Sequence, residues 1–462
     1  MSTRDVVELL TAALGDRVDI TPASRESARA DKSGHAATGT PLAVVHAECV
    51  EDVQTTLRIA TETGTPVVTQ GARTGLAGAA NAGKGEIALS LLRMNRILEV
   101  QPDDLIAVVE PGIINADLND ALAPHDLWWA PDPASRAIST VGGNIATGAG
   151  GLLCAKYGVV RDAVLGVDLV LADGRLMRLG HRTVKGVTGL DLTSLVIGSE
   201  GTLGVVVGAT LKLRRRIPGA VATLAATFAE VSSAARASSA VTASGVQPAI
   251  MELMDAASLA AVHDLMGLEP PLPGVAQLTI QTDGTSALDD AEAIATILEQ
   301  HGGNVALSHD ADEGERLLAV RRSMHPAMER LGTTLIEDVS VPRSALPAMF
   351  DEIARVEREH GVIIPTVAHA GDGNLHPNFI FDATPDEAGI VDVPDHIWAA
   401  ADDLFTSALR LGGTLTGEHG VGVLKSRWLA AELGDDQWEL QRQITRVFDP
   451  RGILNPGKVF VR

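Results

Sequence analysis

The sequence predicts an α+β protein of two or three domains. Three observations lead to this expectation. A chain of 462 residues exceeds what one small core can organise. Its first half alternates short apolar strands with helices and carries several glycine-rich loops. Its second half alternates strands and amphipathic helices, the pattern of an antiparallel sheet with helices on one face. The change falls near Arg214-Arg-Arg-Ile-Pro218, with no low-complexity linker to separate the parts.

Composition narrows the class. Hydrophobic content of 45% and charged content of 21% describe an ordinary globular chain, and aromatics at 3% require an aliphatic core. A net charge of −22 excludes nucleic acid, whose phosphates need clustered Lys and Arg, and opposes charge-driven docking on anionic lipid. Cys49 and Cys154 stand far apart in no metal or redox spacing, which fits a reducing compartment. The start, Met1-Ser-Thr-Arg-Asp-Val-Val-Glu-Leu-Leu, has acids within its apolar run and predicts an amphipathic helix, not a signal peptide. No apolar run reaches the ~20 residues that span a bilayer. The expected location is cytoplasmic.

In chain order, residues 1–40 are expected to be a helical lead-in and a polar connector. Pro41-Leu-Ala-Val-Val-His46 is a short strand and Val53-Gln-Thr-Thr-Leu-Arg-Ile-Ala60 has helical spacing. Pro66-Val-Val-Thr-Gln70 is a strand running into a loop with glycines at 71, 75 and 78. Glycines there let backbone N–H groups approach an anion closely, although a plain glycine-rich turn fits this loop equally well on its own. Two more glycine-rich segments follow, Ser139-Thr-Val-Gly-Gly-Asn144 onward and Gly198-Ser-Glu-Gly-Thr-Leu-Gly204. The second comes after an expected strand, Leu192-Thr-Ser-Leu-Val-Ile197. None fits the G-x-G-x-x-G pattern of a nicotinamide site. Three loops suit a long cofactor held at several points.

In the second half, Ala229 to Ser244 and Ala287 to His301 have helical spacing, and Gln277-Leu-Thr-Ile-Gln281 alternates as a strand. Arg316, Arg321 and Arg322 share a helix that Pro326 is expected to interrupt. An arginine fork suits a carboxylate, though a solvated basic face accounts for the same pattern.

The most chemical stretch is Val367-Ala-His-Ala-Gly-Asp-Gly-Asn-Leu-His-Pro-Asn378. With Asp372-Gly373 as a two-residue hairpin loop, His369 faces His376 across the strands. Directly opposed side chains have β-carbons about 4.5–5.5 Å apart and point the same way, so both imidazoles can share one divalent metal. Read alone, the pair also fits exposed polar surface. Later, Gly412-Gly-Thr-Leu-Thr-Gly-Glu-His-Gly-Val-Gly422 sets Glu418 and His419 in a glycine-rich loop after an expected strand. Glu418 then completes a set of two histidines and one carboxylate with open positions.

The loops Gln70-Gly-Ala-Arg-Thr-Gly-Leu-Ala-Gly78, Val109-Glu-Pro-Gly112, Pro131-Asp-Pro133, Thr140-Val-Gly-Gly-Asn144 and Gly198-Ser-Glu-Gly-Thr-Leu-Gly204 resemble the FAD-binding domain of the vanillyl-alcohol-oxidase/PCMH type. The segments around His369, Glu418, Glu337-Asp-Val-Ser-Val-Pro342 and Asp449-Pro-Arg-Gly-Ile-Leu-Asn-Pro-Gly-Lys458 resemble the FAD-linked oxidase C-terminal domain. That domain occurs in glycolate oxidase flavin subunits, D-lactate dehydrogenases and D-2-hydroxyglutarate dehydrogenase. The resemblance implies a PCMH-type FAD domain of two α+β subdomains over residues 1–215. It implies a substrate- and metal-binding α+β domain over 216–430, and a segment 431–462 returning to the FAD domain.

For the cofactor, the resemblance implies FAD held by Gly71, Ala72, Arg73, Thr74, Gly75 and Leu76 of the first loop. It adds Pro131, Asp132, Thr140, Gly142, Gly143, Asn144, Glu200, Gly201 and Asn455. Residues 71–80 contain no His or Cys, so the FAD is expected to be non-covalent. One departure is Gly189-Leu-Asp-Leu192, where relatives often have a tyrosine as the second residue. For the metal, positions matching His369, His376 and Glu418 hold a divalent ion, zinc or manganese, in characterised relatives. The position of His419 matches the base, and that of Arg321 the residue that binds the substrate carboxylate.

The function implied is FAD-dependent oxidation of a D-2-hydroxy acid to the 2-oxo acid. Ile336 stands where the 2-hydroxyglutarate enzymes carry a lysine for a second carboxylate, which favours a D-lactate-like monocarboxylate, with a glycolate oxidase flavin subunit or a D-2-hydroxyglutarate dehydrogenase as the alternatives. A competing class is a non-catalytic electron-transfer flavoprotein subunit, and another is a metal-free FAD oxidase of a different alcohol. The expected partners are a small 2-hydroxy acid and an electron acceptor, whether oxygen, a quinone, a cytochrome or an electron-transfer flavoprotein. A homodimer is possible.

Overall fold

In the computed structural model, which describes residues 3–384 and 391–461, the chain forms two units. The first comprises Met1–Gly150, Gly158–Arg216 and Glu418–Arg462, and the second Gly151–Tyr157 and Ile217–Gly417. The change near residue 216 lies where the glycine-loop pattern ends. The return to the first unit comes at Glu418, ahead of the expected 431, so Glu418 and His419 belong with the first unit.

Within the first unit, Ala43–His46, Ile87–Ser90 and Val67–Gln70 lie parallel, and Val18–Asp19 adds an antiparallel edge to Ala43–His46. Ile87–Ser90 is buried at every position and Ala43–His46 at all but its last, as expected of parallel strands covered on both faces. The helix Val50–Thr63 has Glu51 and Asp52 in its first turn, where the helix dipole favours acids, and ends on Gly64 at φ 67°. A second sheet is wholly antiparallel, in the order Ile97–Gln101, Ile106–Val109, Val205–Lys212, Val164–Val170, Leu176–Gly180. Its core is aliphatic, with the buried Trp129 donating from Nε1 to the Ala163 carbonyl at 3.0 Å.

Three local expectations need correction. Leu192–Val196 is a short helix, not a strand, because Asp191 caps it by accepting from the Ser194 N–H at 3.0 Å; the cap outweighs local strand preference. Residues 1–40 are more than a lead-in, since Val18–Asp19 joins the sheet and Thr21 caps a further helix, Pro22–Ser27. The segment leading directly into Glu418 forms no strand; Thr414 in it makes an isolated bridge with Ser340.

The second unit is built on one antiparallel sheet in the order Asn304–Ser308, Ala220–Phe228, Ala276–Gly284, Ile250–Met254, Thr366–His369, Asn374–Phe381, Thr333–Ile336, with Val339–Ser340 also pairing Asn374–Phe381. The helices Val231–Ala243 and Ala287–Gln300 pack on it through alanine-rich faces. The helix Ala311–Arg322 ends at Ser323, before the proline. Pro326 instead sits in the first turn of Met324–Leu331, where its missing N–H costs no helical bond. Among the described residues, no helix is long and apolar enough to cross a membrane.

Candidate functional site

The first unit contains a cleft of about 220 Å³ whose walls are the glycine-rich loops. Gly71, Ala72, Arg73, Thr74, Gly75 and Leu76 line one side, and Thr140, Gly142, Gly143 and Asn144 line another. Glu200, Gly201, Glu418 and His419 complete it. Pro131, Asp132 and Asn455 lie outside the lining. The Pro131 carbonyl accepts from Asn115 Nδ2 at 2.9 Å, and Asp132 is buried. Asn455 Nδ2 donates to the carbonyls of Ala79 and Glu200, tying two of the walls together.

The absence of side chains opens the cleft. A β-carbon on Gly71 would lie 2.4 Å from Thr140 Oγ1, and one on Gly142 would lie 2.4 Å from the Pro111 side chain and 2.8 Å from its carbonyl oxygen. Arg73 is held at φ 55°, in the left-handed region that an arginine rarely adopts, and burial lowers the pKa of its guanidinium. The Asn144 Nδ2 is buried and has no hydrogen-bond partner among the described residues. A cation, an unmet amide donor and close-approach glycines are what a dinucleotide with a pyrophosphate needs, so the cleft fits FAD.

Asp31 also lines the cleft, a residue that sequence reasoning left inside the polar connector. It accepts from the N–H of Gly78 at 3.0 Å, so it braces the first glycine loop. Nothing in the pattern around Ala30-Asp-Lys-Ser-Gly34 signals this, because the bond spans 47 residues.

Glu200 organises the other end. Its carboxylate accepts from the N–H groups of Val421 at 2.7 Å and Gly422 at 2.8 Å, just beyond His419. The Gly422 carbonyl in turn accepts from Val459, which holds the loop in the first unit. Glu418 passes so close to Gly150 that a β-carbon there would lie 2.4 Å from its Oε2. His419 Nε2 is 3.8 Å from Glu418 Oε1, and both side chains are largely buried.

Burial pushes the Glu200 carboxyl up from an ordinary 4.5 to about 7, against the lowering effect of the two amide donors and Lys425. Between those values the folded protein holds a proton that the unfolded chain has released, so this group makes stability fall as pH rises from 4.5 towards about 7. Glu200→Gln removes the titration. Relative to the variant, the wild type should lose roughly 3 kcal/mol of unfolding free energy across that window. Denaturant unfolding at a series of pH values checks this; a difference that does not change with pH contradicts it.

The second unit carries the histidine hairpin, with a register different from the expected one. Val367 pairs with His376, Ala368 with Leu375 and His369 with Asn374. The loop is therefore the four residues Ala370–Gly373, not Asp372-Gly373 alone. The His369 carbonyl accepts from the N–H of both Asp372 and Gly373, and Gly373 takes φ 90° with its would-be β-carbon 2.2 Å from the Val341 carbonyl oxygen. His369 and His376 are thus diagonal neighbours, not direct partners. Because the register moved by two residues, the face did not change. The rings meet edge to face with centroids 5.0 Å apart and planes at 83°.

Around this pair lie buried polar groups that were not foreseen. Glu252, on Ile250–Met254, sits opposite His369 in the sheet, and its Oε1 is 2.7 Å from His369 Nδ1. Its Oε2 accepts from Arg321 Nε at 2.7 Å. The structure therefore brings Arg321 to the hairpin, whereas Arg322 pairs with Glu315 on the exposed side and Arg316 is exposed. The available signal was the lone acid in Ile250-Met-Glu-Leu-Met254, since a charge inside a buried strand needs a partner. Asp338 accepts from Asn374 Nδ2 at 2.5 Å and from the Thr416 hydroxyl, linking the hairpin to the segment just before Glu418.

Comparison with known proteins agrees with both halves of this picture. The FAD binding domain family matches residues 41–180, and the family of FAD linked oxidases, C-terminal domain, matches 217–459. The glycolate oxidase subunit GlcD of Bacillus subtilis is 36% identical, over 100% of this chain and 98% of the relative. The D-lactate dehydrogenase of Archaeoglobus fulgidus is 33% identical, over 88% of this chain and 89% of the relative. The mitochondrial D-lactate dehydrogenase [cytochrome] of Arabidopsis thaliana is 32% identical, over 92% and 75%. Among solved structures, p-cresol methylhydroxylase with substrate bound aligns with a TM-score of 0.80 at 18% identity, covering 99% of this chain and 96% of that one. An alkyldihydroxyacetonephosphate synthase aligns at 0.74 and 19%, covering 99% and 85%. These two show the fold, an α+β PCMH-type FAD domain with an antiparallel-sheet domain. With both family matches in order along the chain, this protein belongs to the FAD-linked oxidases and is an FAD-linked oxidoreductase.

Proposed function

We propose that this chain oxidises a D-2-hydroxy acid of the D-lactate type to the 2-oxo acid, using non-covalent FAD and a divalent metal, zinc or manganese. The observation that carries the reading is the histidine pair: two buried imidazoles on one face of a hairpin, 5.0 Å apart, one of them backed by a carboxylate. Relatives named for glycolate and D-lactate support the substrate class.

In this reading His369 and His376 hold the metal from the second unit and Glu418 supplies the third ligand. A metal held there would supply Lewis acidity toward the substrate hydroxyl, and FAD in the cleft would supply the two-electron oxidising power.

The protein's own residues do the rest. Arg321 pairs with the substrate carboxylate through its Nη edge, since its bond to Glu252 uses Nε. His419 accepts the hydroxyl proton. The substrate thereby loses one proton and one hydride and becomes a carbonyl compound. Arg73 and the Asn144 amide serve the cofactor in the glycine-walled cleft. Ile336, on Thr333–Ile336, offers a second carboxylate no cation, which favours a monocarboxylate.

Metal removal tests the reading against a metal-free alcohol oxidase. Treatment with a chelator should abolish flavin reduction by D-lactate with the flavin retained, and zinc or manganese should restore it. Full activity in protein shown by elemental analysis to be metal-free would reject it.

A further inference from the structure

We infer that Glu252 is a positioning residue that serves the metal ligand and the substrate-binding arginine at once. The inference rests on the proposed roles of His369 and Arg321, and it adds a residue that neither role requires by itself. Three observations carry it. Glu252 is 1% exposed, so its charge has no water to stabilise it. Its two oxygens are divided between two partners at equal length, Oε1 to His369 Nδ1 and Oε2 to Arg321 Nε, each at 2.7 Å. Strand pairing sets it opposite His369, so the contact is built into the sheet and does not depend on a mobile loop.

The chemistry follows from the geometry. A carboxylate only accepts, so the proton of the His369 imidazole sits on Nδ1 and Nε2 presents its lone pair. A ligating histidine held this way keeps one tautomer and one ring orientation, and its basicity rises. The same carboxylate pins Arg321 at Nε, which fixes the plane of the guanidinium and leaves the two-nitrogen edge for the substrate. A neutral amide in its place can accept from Arg321 only by turning its N–H donor toward His369 Nδ1, which moves the imidazole proton to Nε2 and removes the lone pair offered to the metal.

Glu252→Gln tests this by equilibrium dialysis of the full-length protein against zinc alone. Zinc binding should weaken about 10- to 100-fold with flavin content unchanged. The D-lactate concentration giving half-maximal flavin reduction in zinc-saturated protein should rise together with it. Wild-type zinc affinity in the folded variant overturns the inference. Should Glu252→Gln not fold, Glu252→Asp keeps the buried charge on a shorter arm: weakened zinc binding supports the role and wild-type binding overturns it. His369→Ala separates the two levels. If it binds zinc as the wild type does, the metal reading itself fails; if it loses zinc while both Glu252 variants keep it, only the role of Glu252 fails.

Discussion

His419→Ala should retain FAD and lose its reduction by a 2-hydroxy acid, with the rate falling by about 10²- to 10⁴-fold, the usual contribution of a positioned base. The side chain is 13% exposed and lies in the cleft wall among the glycine-rich loops. Its loop is fixed by the Glu200 carboxylate on Val421 and Gly422, so alanine removes the imidazole without releasing the backbone. Anaerobic rapid mixing with D-lactate reads the rate, and the flavin-to-protein absorbance ratio reads retention. Reduction at the wild-type rate would remove His419 from the mechanism. Loss of flavin instead of rate would make it a cofactor residue.

Arg321→Ala should raise the substrate concentration for half-maximal reduction by roughly 30-fold or more, the loss expected when one partner of a buried charge pair is truncated. The variant also strands Glu252 beside His369 without its cation, so some loss of folding stability accompanies the kinetic effect. Arg321→Lys separates the two. It returns a positive charge near Glu252 but lacks the planar fork, so stability should recover more fully than substrate affinity. Wild-type substrate dependence in Arg321→Lys and Arg321→Ala would show that the arginine serves Glu252 alone.

Much of the architecture was legible because it rests on local chemistry. Two of the three parallel strands, Ala43–His46 and Val67–Gln70, announced themselves as apolar runs, and the turn at Gly371-Asp-Gly373 announced itself by composition. The orientation of His369 and His376 survived a wrong register because strand side chains alternate with period two, and the slip was two residues. A one-residue slip would have parted the imidazoles. The loop length escaped because it depends on Gly373 meeting the Val341 carbonyl, a contact from the chain just past Val339–Ser340. Asp31, Glu252 and Asp338 escaped for the same reason, since each acts through partners 36 to 117 residues away. Leu192–Val196 escaped because one capping side chain, Asp191, decides between helix and strand. Sequence pattern carries faces and periods well; it carries buried polar pairings only as anomalies such as the lone glutamate in Ile250-Met-Glu-Leu-Met254.

Oxidation of a D-2-hydroxy acid is read most directly by anaerobic bleaching of the flavin absorbance across matched D- and L-2-hydroxy acids, with lactate, glycolate and 2-hydroxyglutarate included. D-lactate or a close D-monocarboxylate should bleach the flavin fast and completely, with L-lactate and D-2-hydroxyglutarate far slower. Flavin that stays oxidised with every 2-hydroxy acid in metal-replete protein would contradict this activity.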